Sequence, residues 1–362
     1  MVYNTVIYDT VIIGAGPAGI TSAIQLKRSG FNILLIEKNK IGGLLRNANK
    51  IENYIGFSDG ISAKELIASF GRQLSSFGIK LISGEVYKIT KTALIPNLNV
   101  RVFNRAVFGT IEKHRFSGPK NPAGFLLIKN KLNKNKIFEV YMGNGTCYKS
   151  LTVIIATGTI SKKARIPGHG NLCGKKVFYE IADIPLTNEI ADISLTNHKK
   201  TNNKKEILII GGGDAAFDYA INLHERGHKP SIIMRNNPTC LNLLLKTAKE
   251  KKILYFENTV PLHIYKDNDK ITLECAHKTF KADFILIAVG REPVYPLIDC
   301  QLINFENNGV ENNDGLFFAG DVKNEIYRQL HIAAGDAMQT AMKVQEYLKK
   351  SVGISEKDYR QS

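Results

Sequence analysis

The stretch TVIIGAGPAG, from Thr10 to Gly19, decides the fold of this 362-residue chain. Its first four residues are β-branched and predict a short strand, and the amphipathic residues 20–29 predict a helix after the glycines. Gly14 permits the tight turn between them, Gly16 lets a pyrophosphate approach the helix N-terminus, and Gly19 lets helix and strand pack closely. The stretch therefore predicts a dinucleotide-binding turn.

The next strand ends in an acid that fits this interpretation. The apolar run 32–36 is followed by Glu37. An acid about 20 residues after the glycines holds the ribose hydroxyls of an adenosine. Strand, glycines, helix, strand and acid stand in the required order, so we expect a dinucleotide to bind here.

The same pattern occurs a second time. An apolar strand at 206–210 is followed by GGGDAA and a helical stretch, 217–226. The strand after it, 230–234, ends in Arg235 instead of an acid, which favours the 2′-phosphate of NADP. The next two residues supply no second cation, so NAD stays open. The residues expected to hold this nucleotide are Gly211, Gly213, Asp214, Ala215, Ala216, Arg235 and Gly290.

Two dinucleotide folds in one chain indicate a bound flavin and an exchangeable nicotinamide. Further strands at 153–158, 284–290 and 315–321 end in small residues or an acid, and helical spacing follows from 330 to 348. The expected fold class is α/β, with two three-layer Rossmann-like domains.

The ordered motifs extend this pattern along the chain. They are GAGPAG at Gly14, GG at Gly42, ENYIGF from Glu52, ATG at Ala156, GGGDAAFD from Gly211, AVGREP from Ala288, AGD at Ala319 and YRQ from Tyr327. With these motifs the chain resembles the low-molecular-weight thioredoxin reductases and the related thioredoxin-reductase-type ferredoxin-NADP reductases over essentially its whole length. The resemblance implies an FAD enzyme that oxidises NADPH or NADH, and a homodimer.

The resemblance also implies which residues contact FAD. Asp321 can accept a hydrogen bond from a ribityl hydroxyl, and Gln329 opens the last helix, whose dipole favours negative charge on the flavin. The expected FAD residues are Gly14, Gly16, Pro17, Ala18, Gly19, Glu37, Lys38, Gly43, Leu44, Asn53, Val86, Ala156, Thr157, Gly158, Gly320, Asp321, Arg328, Gln329 and Leu330.

By the same resemblance the NAD(P) domain, 169–290, is inserted in a discontinuous FAD domain made of 1–168 and 291–362. Turn-forming residues at 166–170 and 290–293 are the expected hinges. A tandem nonapeptide, 180–197, is interpreted as a duplication in a surface loop. Tyr359, in the C-terminal tail, either covers the flavin ring or belongs to a frayed end.

The chain departs from thioredoxin reductases where they carry a Cys-x-x-Cys. The corresponding stretch, 177–183, contains no cysteine, and neither Glu180 nor Asp183 can exchange with a disulfide. The five cysteines are scattered, and no metal site is expected. We therefore predict that no protein side chain is the redox catalyst and that the chemistry takes place at the flavin.

Charge distribution bears on the electron acceptor. Lys and Arg number 49 against 33 Asp and Glu, a net charge of +16, and residues 96–150 carry 10 basic and 2 acidic side chains, or +8. Most of these lie in a basic insertion at about 92–136, interpreted as a hairpin-like excursion. Its basic face could dock an acidic ferredoxin or flavodoxin, or it is a solvated loop. No nucleic-acid-binding module accompanies it, so nucleic acid is not an expected partner.

The expected function is NAD(P)H oxidation through FAD, with a ferredoxin or flavodoxin as first choice of acceptor. The alternatives are direct reduction of a quinone, oxygen or a small disulfide, and a flavin-binding redox sensor without catalysis. The N-terminus lacks a signal-peptide pattern, and no apolar run approaches the roughly 20 residues of a membrane span, so a cytoplasmic protein is expected.

Overall fold

The computed structural model describes residues 6–93, 136–186, 204–299, 305–306, 309–310, 314–324 and 326–352. Its α-helices are α1 (Pro17–Arg28), α2 (Ala63–Ser76), α3 (Asp214–Glu225), α4 (Asn242–Glu250) and α5 (Leu330–Val352). Its strands are β1 (Ile7–Ile13), β2 (Ile33–Glu37), β3 (Lys50–Ile51), β4 (Ile61–Ser62), β5 (Leu81–Ser83), β6 (Val86–Ala93), β7 (Lys136–Met142), β8 (Cys147–Ile155), β9 (Thr159–Ser161), β10 (Val177–Phe178), β11 (Glu206–Ile210), β12 (Lys229–Ile233), β13 (Leu254–Phe256), β14 (Pro261–Asp267), β15 (Lys270–Cys275), β16 (Thr279–Ala282), β17 (Phe284–Ile287), β18 (Arg291–Pro293), β19 (Leu297–Ile298), β20 (Phe305–Glu306), β21 (Gly309–Val310) and β22 (Leu316–Phe318).

Most of these elements form two units, and each unit is built around its own β-sheet. The eight-stranded sheet has the order β19-β6-β7-β8-β1-β2-β5, with β22 also paired to β8. With α1, α2 and α5 we call it the large-sheet unit. The five-stranded sheet, β10-β17-β11-β12-β13, is parallel throughout. With α3, α4 and the antiparallel sheet β14-β15-β16 we call it the small-sheet unit.

Helices cover one face of each sheet because their apolar residues recur at helical spacing. On α5, Ala333, Ala337 and Ala341 are buried and pack with α1 and with β1 in one core cluster. On α3, Phe217 and Leu223 are buried against β11 and β12. The other face of the small sheet packs on β14–β16, which gives three layers. The predicted α/β fold with two dinucleotide-binding-type units is confirmed.

The chain passes between the units through β9 and β18. These strands pair antiparallel, with Ser161 opposite Arg291 and Thr159 opposite Pro293. The first predicted hinge segment, 166–170, lies beyond this ribbon, and Ile264 N donates to Pro167 O at 2.9 Å. That segment therefore packs on the small-sheet unit.

The basic insertion leaves the large sheet at one point. β6 and β7 are antiparallel neighbours, and Ala93 at the end of β6 pairs with Lys136 at the start of β7. Residues 94–135 of the insertion, residues 187–197 of the tandem repeat and Tyr359 lie outside the described residues. Across the described ranges, no helix has the length and apolarity needed to cross a membrane.

Candidate functional site

The first glycine turn is packed too tightly to hold side chains at Gly14 and Gly19. Gly14 has a φ of +102°, and its N–H donates to Ile36 O at 2.7 Å. A Cβ built on Gly14 would lie 2.4 Å from Ala156 O, and one on Gly19 would lie 1.8 Å from Gly14 O. Only glycine fits at either position without moving the backbone, which is why α1 packs so closely on β1 and β8.

Gly16 and Gly43 face each other beside this turn. A Cβ on Gly43, whose φ is +53°, would lie 3.2 Å from the Cα of Gly16, and Gly42 N donates to Ala15 O at 2.8 Å. Gly16 is the N-cap of α1 and makes no side-chain cap, while Pro17 follows it. The two bare backbones form a cradle at the positive end of a helix, which suits a pyrophosphate.

Glu37 lies beside this cradle. Its Oε2 accepts a hydrogen bond from Ala15 N at 2.6 Å, and its Oε1 accepts one from Asn39 N at 2.9 Å. Both donors are backbone groups, so the carboxylate is fixed at the end of β2. Lys38, the next residue, reaches Glu85 at the surface, and Val86 is buried.

Parallel pairing of β22 with β8 brings the ATG and AGD motifs to the same edge. Ala319 N donates to Ile155 O at 3.0 Å, and a Cβ on Gly320 would lie 2.6 Å from the Cβ of Ala18. Residues 156–158 continue from β8, so they lie beside Gly320 and Asp321. Thr157 Oγ1 also donates to Val294 O.

Asp321 and Arg328 form the polar part of this edge. Burial raises the pKa of the Asp321 carboxyl, and the positive charges of Arg328 and Arg291 oppose that rise. Arg328 Nε and Asn324 Nδ2 are buried donors without a hydrogen-bond partner among the described residues. Buried donors are normally satisfied, so two unpaired donors only four residues apart in the chain indicate a place for an external acceptor.

The ENYIGF and YRQ motifs meet at the start of α5. Asn53 Nδ2 donates to Gln329 Oε1 at 3.1 Å, and Ile55 N donates to His331 Nε2 at 3.3 Å. Leu330 begins α5 and Leu44 is half-buried near the Gly42-Gly43 turn. The structure thus brings most of the FAD residues predicted from both ends of the chain to one edge of the large sheet.

The second glycine turn repeats the first. Gly211 has a φ of +151°, its N–H donates to Ile233 O at 3.0 Å, and a Cβ there would lie 2.2 Å from Ala288 O. Gly213 is the N-cap of α3 without a side-chain cap. Asp214 Oδ1 accepts from Leu241 N at 2.7 Å, which ties the loop between β12 and α4 to the start of α3. Ala215 is exposed and Ala216 is buried.

Arg235 is exposed two residues after β12, with Asn236 and Asn237 also exposed beside it. Gly290, with a φ of +108°, leads into β18. An exposed guanidinium beyond the second strand can reach a ribose phosphate on the same edge as Gly211.

The stretch without a dithiol forms a short 3-10 turn, Ile181–Asp183. Glu180 precedes the turn, and Asp183 is exposed. The described cysteines, Cys147, Cys173, Cys240 and Cys275, are free thiols elsewhere in the fold. Burial raises the pKa of Cys147, Cys240 and Cys275, which disfavours their reactive thiolates. The described ranges hold no cluster of His, Cys, Asp and Glu that could bind a metal.

Comparison with known proteins agrees with this geometry. The family model described as pyridine nucleotide-disulphide oxidoreductase matches residues 8–337. The chain belongs to that family.

The chain is 26% identical to the thioredoxin reductase of Bacillus subtilis over 95% of its own length and 96% of the relative's. It is 27% identical to a "34.2 kDa protein in rubredoxin operon" of Clostridium pasteurianum, over 94% and 97%. The crystal structure of Lactococcus lactis thioredoxin reductase in the FR conformation superposes with a TM-score of 0.68 at 25% identity, covering 95% of this chain and 99% of that one.

The protein is therefore an oxidoreductase, and its fold is similar to that of thioredoxin reductases. The family uses FAD and NADPH, so the cofactors expected from the sequence are confirmed. The thioredoxin-reductase-like resemblance is confirmed as well.

Three residues of the candidate site were not among those predicted. Asn47 ends the 3-10 turn that begins at Gly43 and is buried. Asp336, on α5, accepts from Gly320 N at 2.8 Å and pairs with Lys323 at 2.8 Å. Arg291 was assigned only to a hinge, yet its side chain is held by Thr159 and Ser161. Of these three residues, only Asp336 has a local signal in the sequence, because it is a charged residue among the apolar residues of a predicted helix.

Proposed function

We propose that this protein takes hydride from NADPH onto FAD and passes the electrons to a ferredoxin- or flavodoxin-type carrier without a protein dithiol. The observation that carries the proposal is the combination of two complete glycine turns with Glu180 and Asp183 where the thioredoxin reductases it resembles have cysteines. An acceptor must then receive electrons without thiol exchange.

In this proposal FAD lies along the edge of the large sheet. Its pyrophosphate would lie against the backbones of Gly16 and Gly43 at the start of α1, and its ribose hydroxyls would be held by Glu37. Its ribityl chain would lie near Asp321 and its isoalloxazine near Gln329. The remaining predicted contacts listed above follow the same edge. When bound, FAD supplies a hydride acceptor that can release electrons singly or in pairs, which no side chain here can do.

The chain's own residues fit the group. The orphaned Arg328 Nε and Asn324 Nδ2 need an acceptor, and a Cβ on Gly43 would crowd the backbone of Gly16 where the pyrophosphate is expected. Asp321 carries a raised pKa because of burial, so a hydroxyl donor on the ligand would stabilise its charged form. Binding at this edge would therefore satisfy groups that folding alone leaves unpaired.

NADPH is proposed to bind at the second turn, with its pyrophosphate at the uncapped start of α3 and its 2′-phosphate near Arg235. The small-sheet unit is accordingly the proposed NAD(P) domain, 169–290, and the large-sheet unit the proposed FAD domain, 1–168 and 291–362. A homodimer is also proposed, because thioredoxin-reductase-like relatives are typically dimeric and Met338 and Met342 are exposed on α5.

The basic insertion supports a protein acceptor over a small molecule. It leaves the large-sheet unit between the paired residues Ala93 and Lys136, and 96–150 carries +8. Complementary charge speeds the encounter with an acidic carrier. The Clostridium pasteurianum relative is described as encoded in a rubredoxin operon, which associates it with an electron-carrier protein.

An anaerobic titration tests the first half of the proposal. NADPH should bleach the flavin of the purified protein, and ferredoxin should restore the oxidised spectrum, whereas thioredoxin should not. Bleaching with restoration only by a quinone, oxygen or a small disulfide would replace the carrier with a small-molecule acceptor. Failure of both NADPH and NADH to bleach would leave a redox sensor as the better description.

Charge reversal tests the docking. Lys129, Lys131, Lys134 and Lys136 are changed together to Glu, and the control variant reverses four exposed lysines of the small-sheet unit, Lys175, Lys246, Lys249 and Lys266. Docking through the insertion predicts a raised KM for ferredoxin and a flatter dependence on salt in the first variant only. Equal effects in both variants would mean that the positive charge of the insertion serves only solubility and does not dock a carrier.

A further inference from the structure

The junction between the two units contains a carboxylate that contacts both of them. Glu180 follows β10 of the small sheet, and its side chain is only 21% exposed. Its Oε1 lies 2.8 Å from a guanidinium nitrogen of Arg291 and accepts from Ser161 Oγ at 2.9 Å. Its Oε2 accepts from Asn47 Nδ2 at 2.6 Å and from Tyr219 OH at 3.4 Å.

The four donors come from four separate parts of the molecule. Ser161 belongs to β9 and Arg291 to β18, the two strands through which the chain crosses between the units. Asn47 lies in the 3-10 turn between β2 and α2 of the large-sheet unit, and Tyr219 lies on α3 of the small-sheet unit. One carboxylate thus joins both crossing strands to both units.

A second set of contacts reinforces the same junction. Asn47 Oδ1 accepts from Ala182 N at 3.3 Å, and Asn47 O accepts from Asn222 Nδ2 at 3.3 Å. Asn49 Nδ2 donates to Glu225 Oε2 at 2.7 Å. These contacts align one face of α3 with the loop that follows the Gly42-Gly43 turn.

The junction also reaches the candidate flavin edge. Arg328 donates to the carbonyl oxygen of Arg291 at 3.4 Å, and Asp321 experiences the charge of both arginines. The Arg291 side chain is 16% exposed, so removing Glu180 would leave a shielded guanidinium without its ion-pair partner. A two-stranded ribbon by itself is a weak connection, and units joined in this way move relative to each other unless their interface holds them.

We infer that Glu180 is a positioning residue that locks the small-sheet unit against the large-sheet unit in the arrangement used for hydride transfer. The inference rests on the proposed function, because it assigns the two cofactors to the two units. Glu180 touches none of the residues proposed to hold the nicotinamide nucleotide. Its loss should therefore slow hydride transfer while nucleotide affinity is kept, since transfer requires the reacting atoms in near-contact.

The test compares Glu180→Gln with Asp183→Asn. The control removes a carboxylate in the same short segment, at an exposed position. Rapid mixing with NADPH under anaerobic conditions gives the limiting rate of flavin bleaching and the nucleotide Kd separately. We expect Glu180→Gln to lower the limiting rate at least about tenfold, with Kd nearly unchanged, because a misplacement of about 1 Å between reacting groups can cost on the order of a hundredfold. Asp183→Asn should behave as wild type.

A second variant weakens the junction without touching Glu180. Asn49→Asp removes the hydrogen bond to Glu225 and places a second carboxylate beside it, where Lys251 balances only one of the two negative charges. It should slow bleaching in the same way, and small-angle scattering should show a larger radius of gyration in both junction variants. Asn49→Lys, which can pair with Glu225, should restore part of the rate to Glu180→Gln.

The outcomes are distinct. Wild-type protein that neither nucleotide bleaches overturns the proposed function itself. Bleaching in the wild type together with a wild-type limiting rate in Glu180→Gln and Asn49→Asp overturns the positioning role. If Glu180→Gln does not fold, the rate and scattering of Asn49→Asp decide alone: slower transfer and expansion support the inference, and wild-type values contradict it.

Discussion

Gly16 faces Gly43 so closely that a Cβ built on Gly43 would lie 3.2 Å from the Gly16 Cα. The two residues come from the first glycine turn and from the turn that follows β2, and neither carries a side chain into the gap. The contact leaves no room for a side chain on Gly43 and lies at the start of α1, where no side chain caps the N–H groups. This relationship makes the cradle a steric as well as an electrostatic feature.

Gly16→Val should remove the flavin while leaving the fold intact. The φ of Gly16 is −76°, which valine adopts without strain, so the side chain fills the gap rather than distorting the turn. We expect FAD affinity to fall at least about tenfold, or 1.4 kcal/mol. The visible flavin absorbance relative to protein absorbance measures it. Gly170→Val is the control, because a Cβ on Gly170 would meet no described atom within 4 Å. Full flavin content in Gly16→Val would show that no ligand occupies the cradle.

Arg235→Gln should separate the two nicotinamide nucleotides. If the exposed guanidinium holds the 2′-phosphate, its loss should raise the KM for NADPH about tenfold and leave the KM for NADH unchanged. Initial rates with each nucleotide measure the change. Lys229→Gln removes a cation at the other end of β12 and should alter neither value. An equal rise for both nucleotides would remove 2′-phosphate recognition from Arg235.

Thiol alkylation should leave turnover intact. Cys173 is exposed and should react with iodoacetamide. Cys147 is also exposed but should react more slowly because its pKa is raised, and Cys275, which is buried and also has a raised pKa, should react slowest. Without a dithiol on the electron path, NADPH oxidation should retain its rate after modification, with mass spectrometry counting the modified thiols. If activity instead fell in proportion to thiol modification, and the unmodified Cys147→Ser, Cys173→Ser protein showed the same loss, a thiol would lie on that path.

Asp218→Asn should stabilise the protein near neutral pH. Burial, with Glu225 and Asp214 nearby, raises the pKa of Asp218 from 3.8 to about 6. Between these values the folded state holds more protons than the unfolded state, so the free energy of unfolding falls as pH rises. The variant should gain at most about 3 kcal/mol at pH 7 to 8, and the gain should vanish near pH 4.

Denaturant unfolding of wild type and Asp218→Asn across this pH range measures the gain. Asp183→Asn, at an exposed position, is the comparison and should show no such pH dependence. A stability difference for Asp218→Asn that is constant from pH 4 to pH 8 would mean that the carboxyl does not titrate as described.

Much of the fold could be predicted because its signals are local. The β-branched strands around Gly14 and Gly211, and the glycines that follow them, need only short-range sterics to define a strand, a turn and a helix. The order of the motifs also predicted which segments of the chain would meet at one sheet edge, as Asn53 and Gln329 do. The place where the chain crosses between the two units could not be predicted as closely. It is set by the pairing of β9 with β18, which joins residues 130 positions apart, as in the Arg291 to Ser161 hydrogen bond.

The amino-acid sequence by itself determined that two dinucleotide folds are present and that the dithiol is absent, since both follow from residue types at fixed spacing. Only the tertiary structure decided what Glu180 does in place of a thiol. Its partners, Asn47, Ser161, Tyr219 and Arg291, lie on separate elements, and no spacing in the chain relates them. A carboxylate can accept from several donors at once, and the packing of the two units determines which donors reach it.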